Sequence, residues 1–198
     1  MLRAFQRAFP GRDDVRLRLR MELSGAVRRA FDESGEVPSG RIEIVPPQNL
    51  SYAEFAACYS DVHCTVRPSL FEGFGLIPMQ SIACATPVIA PCGTGLADYI
   101  TRDNAMVLRN KGVSPAAHVY YDCGSHPAID EDHLVELMRH AVANWEREYH
   151  RVQGVSDAFR ARHSWSRALA PLLELLDALV ANPGPEAAQA VIRRHLAP

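Results

Sequence analysis

Short apolar segments of strand length alternate with segments of helical periodicity along most of this chain. Ser51 and Glu54 stand at the spacing of a capping box, which predicts the start of one of the helices. Strands that alternate with helices in this way predict an α/β fold, with a parallel sheet covered by helices on both faces. The predicted strands are 15–20, 42–45, 62–66, 87–90, 106–109 and 118–121, and the predicted helices are 2–9, 24–33, 51–59, 77–85 and 96–100.

The last third of the chain is predicted to be helical. Asp130 is a predicted N-cap, and helical sequence continues from it to Val180. The Asn-Pro-Gly-Pro segment at 182–185 interrupts this pattern before a last short helix. We therefore expect one Rossmann-like domain over residues 1–181, followed by a linker and a C-terminal helix over 182–198.

The two tryptophans, Trp145 and Trp165, lie on predicted helices among apolar neighbours. Large aromatic side chains bury most of their surface in protein cores. We therefore expect both rings to pack in the core, in preference to stacking on a ligand.

The charge of the chain limits its partners. The formal net charge is −2, which argues against a nucleic-acid partner bound by bulk charge. Arg16, Arg18 and Arg20 alternate with apolar residues. They form either the exposed face of a strand or a patch that meets an anionic lipid or glycan precursor. No apolar run approaches membrane-spanning length, so membrane contact is expected to be peripheral at most.

The cysteines and histidines do not have the spacing of a metal site. The five cysteines include no C-x-x-C pair, and the eight histidines show no metal-ligand pattern. An odd number of cysteines, several of them in apolar segments, favours free thiols in a reducing compartment. We expect a cytoplasmic protein without a bound metal, and the first twenty residues lack the apolar core of a secretion signal.

A glycine-containing loop, residues 69–76, lies between a predicted strand and a predicted helix. Its glycines let the backbone approach a ligand closely, and the helix N-terminus offers unpaired N–H groups to a phosphate. Glu72 is repelled by phosphate but accepts hydrogen bonds from sugar hydroxyls. Together these features indicate a sugar diphosphate site. The alternative is a turn that serves packing alone. Arg67, just before the loop, either reaches a phosphate or is a solvated strand end.

Residues 68–90 read PSLFEGFGLIPMQSIACATPVIA. This string closely resembles the family 4 glycosyltransferases, whose pattern is E-G-F-G-L-x-x-x-E followed by a strand similar to A-C-x-T-P-V-I. The resemblance extends to Gly93-Thr94-Gly95, to Asn104–Leu108 and to Ser164-Trp165, and covers roughly residues 1–180. It implies the GT-B fold, with this chain as the C-terminal, donor-binding lobe.

The resemblance also implies roles for individual residues. Glu72 matches the first glutamate of the family's motif, which lies against the donor sugar and is the candidate catalytic residue. Position 80 matches the second glutamate, which binds the ribose hydroxyls, and residues 45–50 match the lining of the base pocket. The implied donor-binding residues are Gly73, Phe74, Gly75, Leu76, Gln80, Gly93 and Thr94. The implied reaction transfers a sugar from a nucleoside diphosphate with retention and needs no metal or other cofactor.

The chain departs from the family pattern in two ways. Position 80 is Gln80, an amide in place of a carboxylate, which predicts about tenfold weaker donor binding. The first strand of the donor lobe, its diphosphate-binding arginine and lysine, and the whole acceptor lobe have no counterpart in the sequence. The chain is then a fragment, one subunit of a split enzyme with a partner chain that carries the acceptor lobe, or a non-catalytic module that binds nucleotide sugar or supports assembly.

Overall fold

The computed structural model describes residues 1–35, 40–117, 122–181 and 184–196. The chain forms two compact units, Met1–Ser156 and Asp157–Pro198. The first unit holds every strand of the described residues together with the first five helices. The helices are α1 (Leu2–Ala8), α2 (Gly25–Ser34), α3 (Tyr52–Ser60), α4 (Leu76–Ala83), α5 (Glu131–Ala143), α6 (Trp145–Arg162), α7 (Trp165–Ala181) and α8 (Pro185–Leu196), and the strands are β1 (Leu17–Arg20), β2 (Ile42–Val45), β3 (Thr65–Val66), β4 (Val88–Pro91), β5 (Met106–Leu108), β6 (Asn110–Ala117) and β7 (Asp122–Ile129).

Side chains cap several helices where the sequence predicts their starts. Ser51 Oγ accepts from the Glu54 N–H (3.3 Å), and Glu54 accepts from the Ser51 N–H (2.8 Å), which completes the predicted capping box of α3. Asp130 accepts from the His133 N–H (3.1 Å) and starts α5 as predicted. At the end of α2, Gly35 adopts φ +71°, the left-handed conformation that glycine favours.

The first five strands form two parallel ladders. β1 pairs with β2, with Leu17 opposite Ile42, and β4 pairs with both β3 and β5. This confirms the predicted α/β class with parallel strands. β3 is shorter than the predicted strand 62–66. The ligand-binding end of such strands is the carboxyl end, from which the loop after β3 starts.

One apolar core joins both ladders to α1, α2 and α5. Phe5 of α1 is 2% exposed, and α1 packs against α5. Arg139 of α5 fixes this contact, because its Nε donates to the Ala8 carbonyl oxygen at the end of α1 (3.1 Å). The core residues with the least exposure include Ile42, Ile89, Leu108 and Leu134.

An antiparallel hairpin, β6–β7, follows the parallel strands and was not predicted. Gly112 and Gly124 both have φ +76° and lie at its two register irregularities. The strand predicted at 118–121 lies outside the described residues. The hairpin returns the chain to Asp130, whose N–H donates to the Arg109 carbonyl oxygen (3.1 Å).

The second unit contains the end of α6 and the pair α7 and α8. Trp165, which the sequence places in the core, is 81% exposed, so that prediction is wrong. It begins a row of partly exposed apolar side chains along α7, none of which is buried. The row continues with Leu169, Leu172, Leu173, Leu176 and Val180. Trp145, in the first unit, is half-buried and packs between His63 and Tyr149.

Two of the three alternating arginines, Arg18 and Arg20, lie on β1, and Arg16 directly precedes it. Arg18 forms ion pairs with Glu43 (2.9 Å) and Asp61 (2.8 Å), and Arg20 Nη1 donates to Cys58 Sγ (2.8 Å). Partners for two of the three arginines favour the exposed strand face over a patch for anionic ligands. No helix within the described ranges has both the length and the apolar character that crossing a membrane requires.

Candidate functional site

The glycine-containing loop lies at the carboxyl end of β3, where it leads into α4. Gly75 is the N-cap of α4 with φ +83°. The helix begins with Leu76 and Ile77, whose N–H groups have no acceptor within the helix, because the preceding residues are outside it. Pro78 comes next and has no N–H to leave unpaired. The first turn of α4 therefore presents two backbone donors beside the loop.

The loop packs directly on a second turn, residues 93–99, which follows β4. The Gly95 N–H donates to the Glu72 carbonyl oxygen (2.9 Å), and the Glu72 N–H donates to Thr94 Oγ1 (3.2 Å). Tyr99 completes the contact, because its hydroxyl donates to the Gly75 carbonyl oxygen. Two loops that follow neighbouring parallel strands are thus joined into one backbone surface.

Two glycines make this close approach possible. A Cβ at Gly95 would lie 2.0 Å from the Gly73 carbonyl oxygen, and a Cβ at Gly75 would lie 2.2 Å from Leu96 Cδ2. A side chain at Gly95 would force the two turns apart, and one at Gly75 would displace the Leu96 side chain. A Cβ at Gly73, in contrast, would meet nothing within 4 Å. Gly73 therefore borders open space that a ligand can enter.

Glu72 is held in a fixed position by two neighbours. Arg67 donates to Glu72 Oε1 from Nε (2.9 Å) and Nη2 (2.8 Å), and Ser69 Oγ donates to the same oxygen (2.7 Å). Partial burial raises the pKa of Glu72. Two effects oppose this and lower the pKa of Glu72, namely the hydrogen bonds from Ser69 and Arg67 and the positive charge of Arg67. The net pKa of Glu72 lies below its ordinary value. Within the described residues no hydrogen bond reaches the second oxygen, Oε2, which keeps its capacity to accept.

Gln80 lies on α4 and is paired with Tyr59 of α3. The Tyr59 hydroxyl donates to Gln80 Oε1 at 2.7 Å. Tyr59 is 8% exposed, whereas Gln80 is partly exposed. The amide therefore uses its carbonyl oxygen inside the protein.

A shallow hollow lies beside the two turns. Gly93 and Thr94 line it, together with residues of the loop and of the hairpin. A wider groove of about 350 Å³ runs next to Leu70 and includes Ser114 and His126 of the hairpin. This volume lies within the range of small-molecule sites. Within the described residues, no group of three or more His, Cys, Asp or Glu side chains has the arrangement of a metal site.

The structure brings most of the predicted donor-binding residues together. Glu72, Thr94 and the glycines form the joined surface, while the side chains of Phe74 and Leu76 are 42% and 59% exposed. Sequence reasoning missed the positioning contacts made by Ser69, Tyr59 and Tyr99, and neither of its two alternatives for Arg67 was the contact with Glu72. Only the position of Arg67 directly before the loop could have indicated its contact with Glu72.

Comparisons with known proteins give this geometry a context. The chain matches the sequence model of the GT4-conflict family, described as "Family 4 Glycosyltransferase in conflict systems", over residues 7–172. It is 29% identical over 171 residues to the D-inositol 3-phosphate glycosyltransferase of Pseudarthrobacter chlorophenolicus. This alignment covers 84% of this chain and 36% of that protein. The enzyme of the same name from Acidothermus cellulolyticus is 34% identical over 118 residues, which covers 59% of this chain and 24% of that protein.

A third protein of that name, from Mycobacterium bovis, is 39% identical over 72 residues, which are 36% of this chain and 14% of the relative. The chain therefore spans about a third or less of the length of these relatives.

Proposed function

Because the chain belongs to the GT4-conflict family of glycosyltransferases, we propose that residues 1–181 form the donor-binding, C-terminal lobe of a GT-B enzyme. Its donor is a nucleoside diphosphate sugar, and its reaction retains the configuration of the anomeric carbon. The observation that carries this proposal is the surface formed by the loop of Glu72 and the turn of Thr94. That surface combines backbone donors with a carboxylate of fixed position.

Each part of the surface has a role in the proposed site. The diphosphate lies at the start of α4, where the N–H groups of Leu76 and Ile77 and the helix dipole favour negative charge. Gly73 lets the backbone approach the ligand, because nothing fills the space beside it. Glu72 Oε2 accepts hydrogen bonds from hydroxyls of the donor sugar. Since the pKa of Glu72 is lowered, the carboxylate is ionised at neutral pH.

The chemical step breaks the bond between the anomeric carbon and the diphosphate oxygen. Negative charge then develops on the leaving diphosphate, and fixed donors aimed at that charge lower the barrier. The α4 N-terminus supplies such donors without a metal ion. Glu72 keeps the sugar in position while the acceptor oxygen forms the new bond to the anomeric carbon and its proton passes to the leaving diphosphate.

The acceptor lobe belongs to a further polypeptide segment or to a partner chain. The aligned relatives extend well beyond the part that this chain matches. Phe71 of the loop is 71% exposed, and Leu76 of α4 is 59% exposed, so apolar surface borders the proposed site. An opposing lobe would cover that surface. We place the enzyme in the cytoplasm, where the free thiols of Cys58, Cys64, Cys84 and Cys92 would stay reduced.

Isothermal titration of the purified chain tests the proposal. UDP, GDP and ADP are each titrated bare and as UDP-glucose, GDP-mannose and ADP-glucose, against the wild type and a Glu72→Ala variant. We expect saturable binding of one of the three nucleotides. Glu72→Ala should weaken the sugar-bearing form by roughly tenfold or more, because a hydrogen bond to a charged group is lost. The bare nucleotide should change little.

Asp13→Ala is the matched control, because Asp13 is an exposed carboxylate outside the loop. It should bind as the wild type does, and circular dichroism should show that all variants are folded. A folded wild type that binds none of the six ligands would contradict the proposal. That result would favour the alternative, a non-catalytic assembly module.

A further inference from the structure

Tyr59 is held rigidly at the end of α3. Its side chain is 8% exposed, and its ring packs edge-on against Phe55 with 5.6 Å between the ring centroids. Its backbone carbonyl oxygen accepts from Thr86 Oγ1 (2.9 Å), which ties α3 to the start of β4. The hydroxyl of Tyr59 therefore has a fixed position, and Gln80 Oε1 is its acceptor at 2.7 Å.

The hydroxyl stays protonated across the neutral range. Burial raises the pKa of Tyr59 to about 12, and the neighbouring Cys84 and Cys58 thiols contribute in the same direction. A protonated phenol donates to the amide oxygen at any pH at which the protein would be studied. The contact therefore fixes which end of the Gln80 amide points inward.

A glutamine side chain has one acceptor atom and one donor group with two N–H bonds. The Tyr59 contact turns the carbonyl oxygen toward α3, so the Nε2 group is the end of the amide that is directed away from Tyr59 and toward a ligand. A glutamate at the same position would behave in the opposite way, because both of its oxygens accept. Arg20, which bonds Cys58 next to Tyr59, adds a positive charge on this side. The surroundings therefore suit ligand atoms that accept hydrogen bonds.

We propose that Tyr59 is a positioning residue that sets the donor specificity of Gln80. With its carbonyl oxygen held by Tyr59, Gln80 donates to the ribose oxygens of the bound nucleotide and does not accept from the ribose hydroxyls. This inference rests on the proposed function and on the family motif that assigns position 80 to the ribose, and it adds the direction of that hydrogen bond. It makes Tyr59 and Gln80 a pair that acts together.

Methylated riboses test the direction of the hydrogen bond, because a methylated oxygen accepts but cannot donate. UDP, GDP and ADP are titrated in parallel with their 2′-O-methyl and 3′-O-methyl forms. The wild type should bind the methylated forms within about threefold of the parent. Gln80→Glu is nearly isosteric, so any steric effect of the methyl group cancels. The carboxylate of this variant accepts a hydrogen bond from a ribose hydroxyl, and methylation of that hydroxyl removes the bond. The variant's preference for the free over the methylated nucleotide should therefore be about tenfold larger than that of the wild type.

Tyr59→Phe keeps the packing and removes only the hydroxyl. The Gln80 amide can then turn its carbonyl oxygen to the ligand, so the preference for the free hydroxyl should rise severalfold above that of the wild type. A purely structural role for Tyr59 would lower the affinity for both ribose forms equally. Equal preferences in the wild type and Gln80→Glu would overturn the proposal, and so would a Tyr59→Phe variant with the wild-type preference.

A second measurement needs no ligand and separates this inference from the proposed function. Thermal unfolding is followed for Tyr59→Phe, Gln80→Met and the double variant. If the two side chains are directly hydrogen-bonded, the decreases in Tm of the two single variants should not add up in the double variant. The difference should be about 2–4 °C. Additive losses would refute the contact. The three variants can show such non-additivity even though none of the nucleotides binds. In that case the proposed function fails, and with it the role of Gln80 towards ribose, but the Tyr59–Gln80 hydrogen bond is supported.

Discussion

The glycines around the candidate site divide into two groups by what surrounds them. Gly75 and Gly95 are required by packing, since a Cβ at either would overlap atoms of the opposing turn. Gly73 and Gly93 have no such neighbour, and the nearest atom to a Cβ at Gly93 is Asn110 Nδ2 at 3.7 Å. A motif of glycines in the sequence does not distinguish these cases, although they predict different effects of substitution.

Gly95→Ala should destabilise the protein because its Cβ would overlap the backbone of Gly73, which cannot move as a flexible side chain would. We expect a loss of about 1–3 kcal/mol in the free energy of unfolding, measured by urea denaturation. Gly93→Ala is the matched control. Gly93 has φ −171°, an extended conformation open to any residue, so its substitution should be nearly neutral. Equal losses in the two variants would contradict the packing argument.

Gly73→Ala should separate binding from stability. Its Cβ would point into open space, so the free energy of unfolding should remain within about 0.5 kcal/mol of the wild type. If the space beside Gly73 admits the donor, the added methyl group should weaken nucleotide-sugar binding about tenfold or more in titration calorimetry. A variant that binds as tightly as the wild type would place the ligand elsewhere.

At the scale of elements, Glu148 joins α5 to α6. Its side chain is only 6% exposed and bonds Arg151 Nε (2.9 Å) and His140 Nε2 (3.0 Å). Burial raises the pKa of Glu148, but the hydrogen bonds from His140 and Arg151 lower it, and the net pKa lies below the ordinary value of 4.5. The ionised carboxylate therefore stabilises the folded state.

Glu148→Gln should lower the free energy of unfolding by about 1–3 kcal/mol at pH 7, because charged hydrogen bonds become neutral ones. A depressed carboxyl pKa contributes stability above the unfolded pKa and loses it as the pH falls through the folded pKa. The difference between wild type and variant should therefore shrink below pH 4.5. Glu146→Gln, at an exposed position of the same helix, should show little effect. A difference that does not change with pH would contradict the assignment.

The sequence predicted the elements whose signals are local. The capping box of Ser51 and Glu54, the N-cap Asp130 and the strand at 42–45 all appear where expected. The hairpin β6–β7 was missed because its strands contain Gly112, Gly124 and two prolines and lack regular apolar alternation. Its pairing depends on contacts between the two strands that neither strand's sequence reveals by itself.

The candidate site was predicted in part for a related reason. The resemblance to a family motif assigned Glu72 and the glycines to the candidate site, because the motif is continuous in sequence. The side chains that orient the site come from other elements, such as Tyr59 of α3 for Gln80 and Tyr99 for Gly75. Nothing in the local sequence of Tyr59 distinguishes it from an ordinary aromatic residue of a helix.

At the scale of the whole molecule, the prediction for Trp165 failed because an apolar helical stripe has the same sequence pattern whether it is covered or exposed. The apolar stripe along α7 belongs to the second compact unit, Asp157–Pro198. Within the described part of that unit, α8 packs against α7. Arg194 of α8 also forms an ion pair with Glu174 of α7. Among the described residues, the main core cluster of the first unit ends at Ala141, and the buried Val152 of α6 also lies before the unit's boundary at Ser156.

This separation predicts how shortened chains behave. A chain that ends at Arg162, after α6, keeps every member of the core cluster and loses the exposed stripe of α7. It should unfold cooperatively, within a few degrees of the Tm of the full chain, and remain monomeric in size-exclusion chromatography. A chain that ends at Ala181, the boundary predicted from the sequence, loses α8 but keeps α7. It should expose more apolar surface than the full chain and associate, because large exposed apolar patches drive aggregation.

A chain ending at Arg162 that fails to unfold cooperatively would mean that the first unit depends on the second for its stability. A monomeric chain ending at Ala181 would mean that α8 does not shield α7.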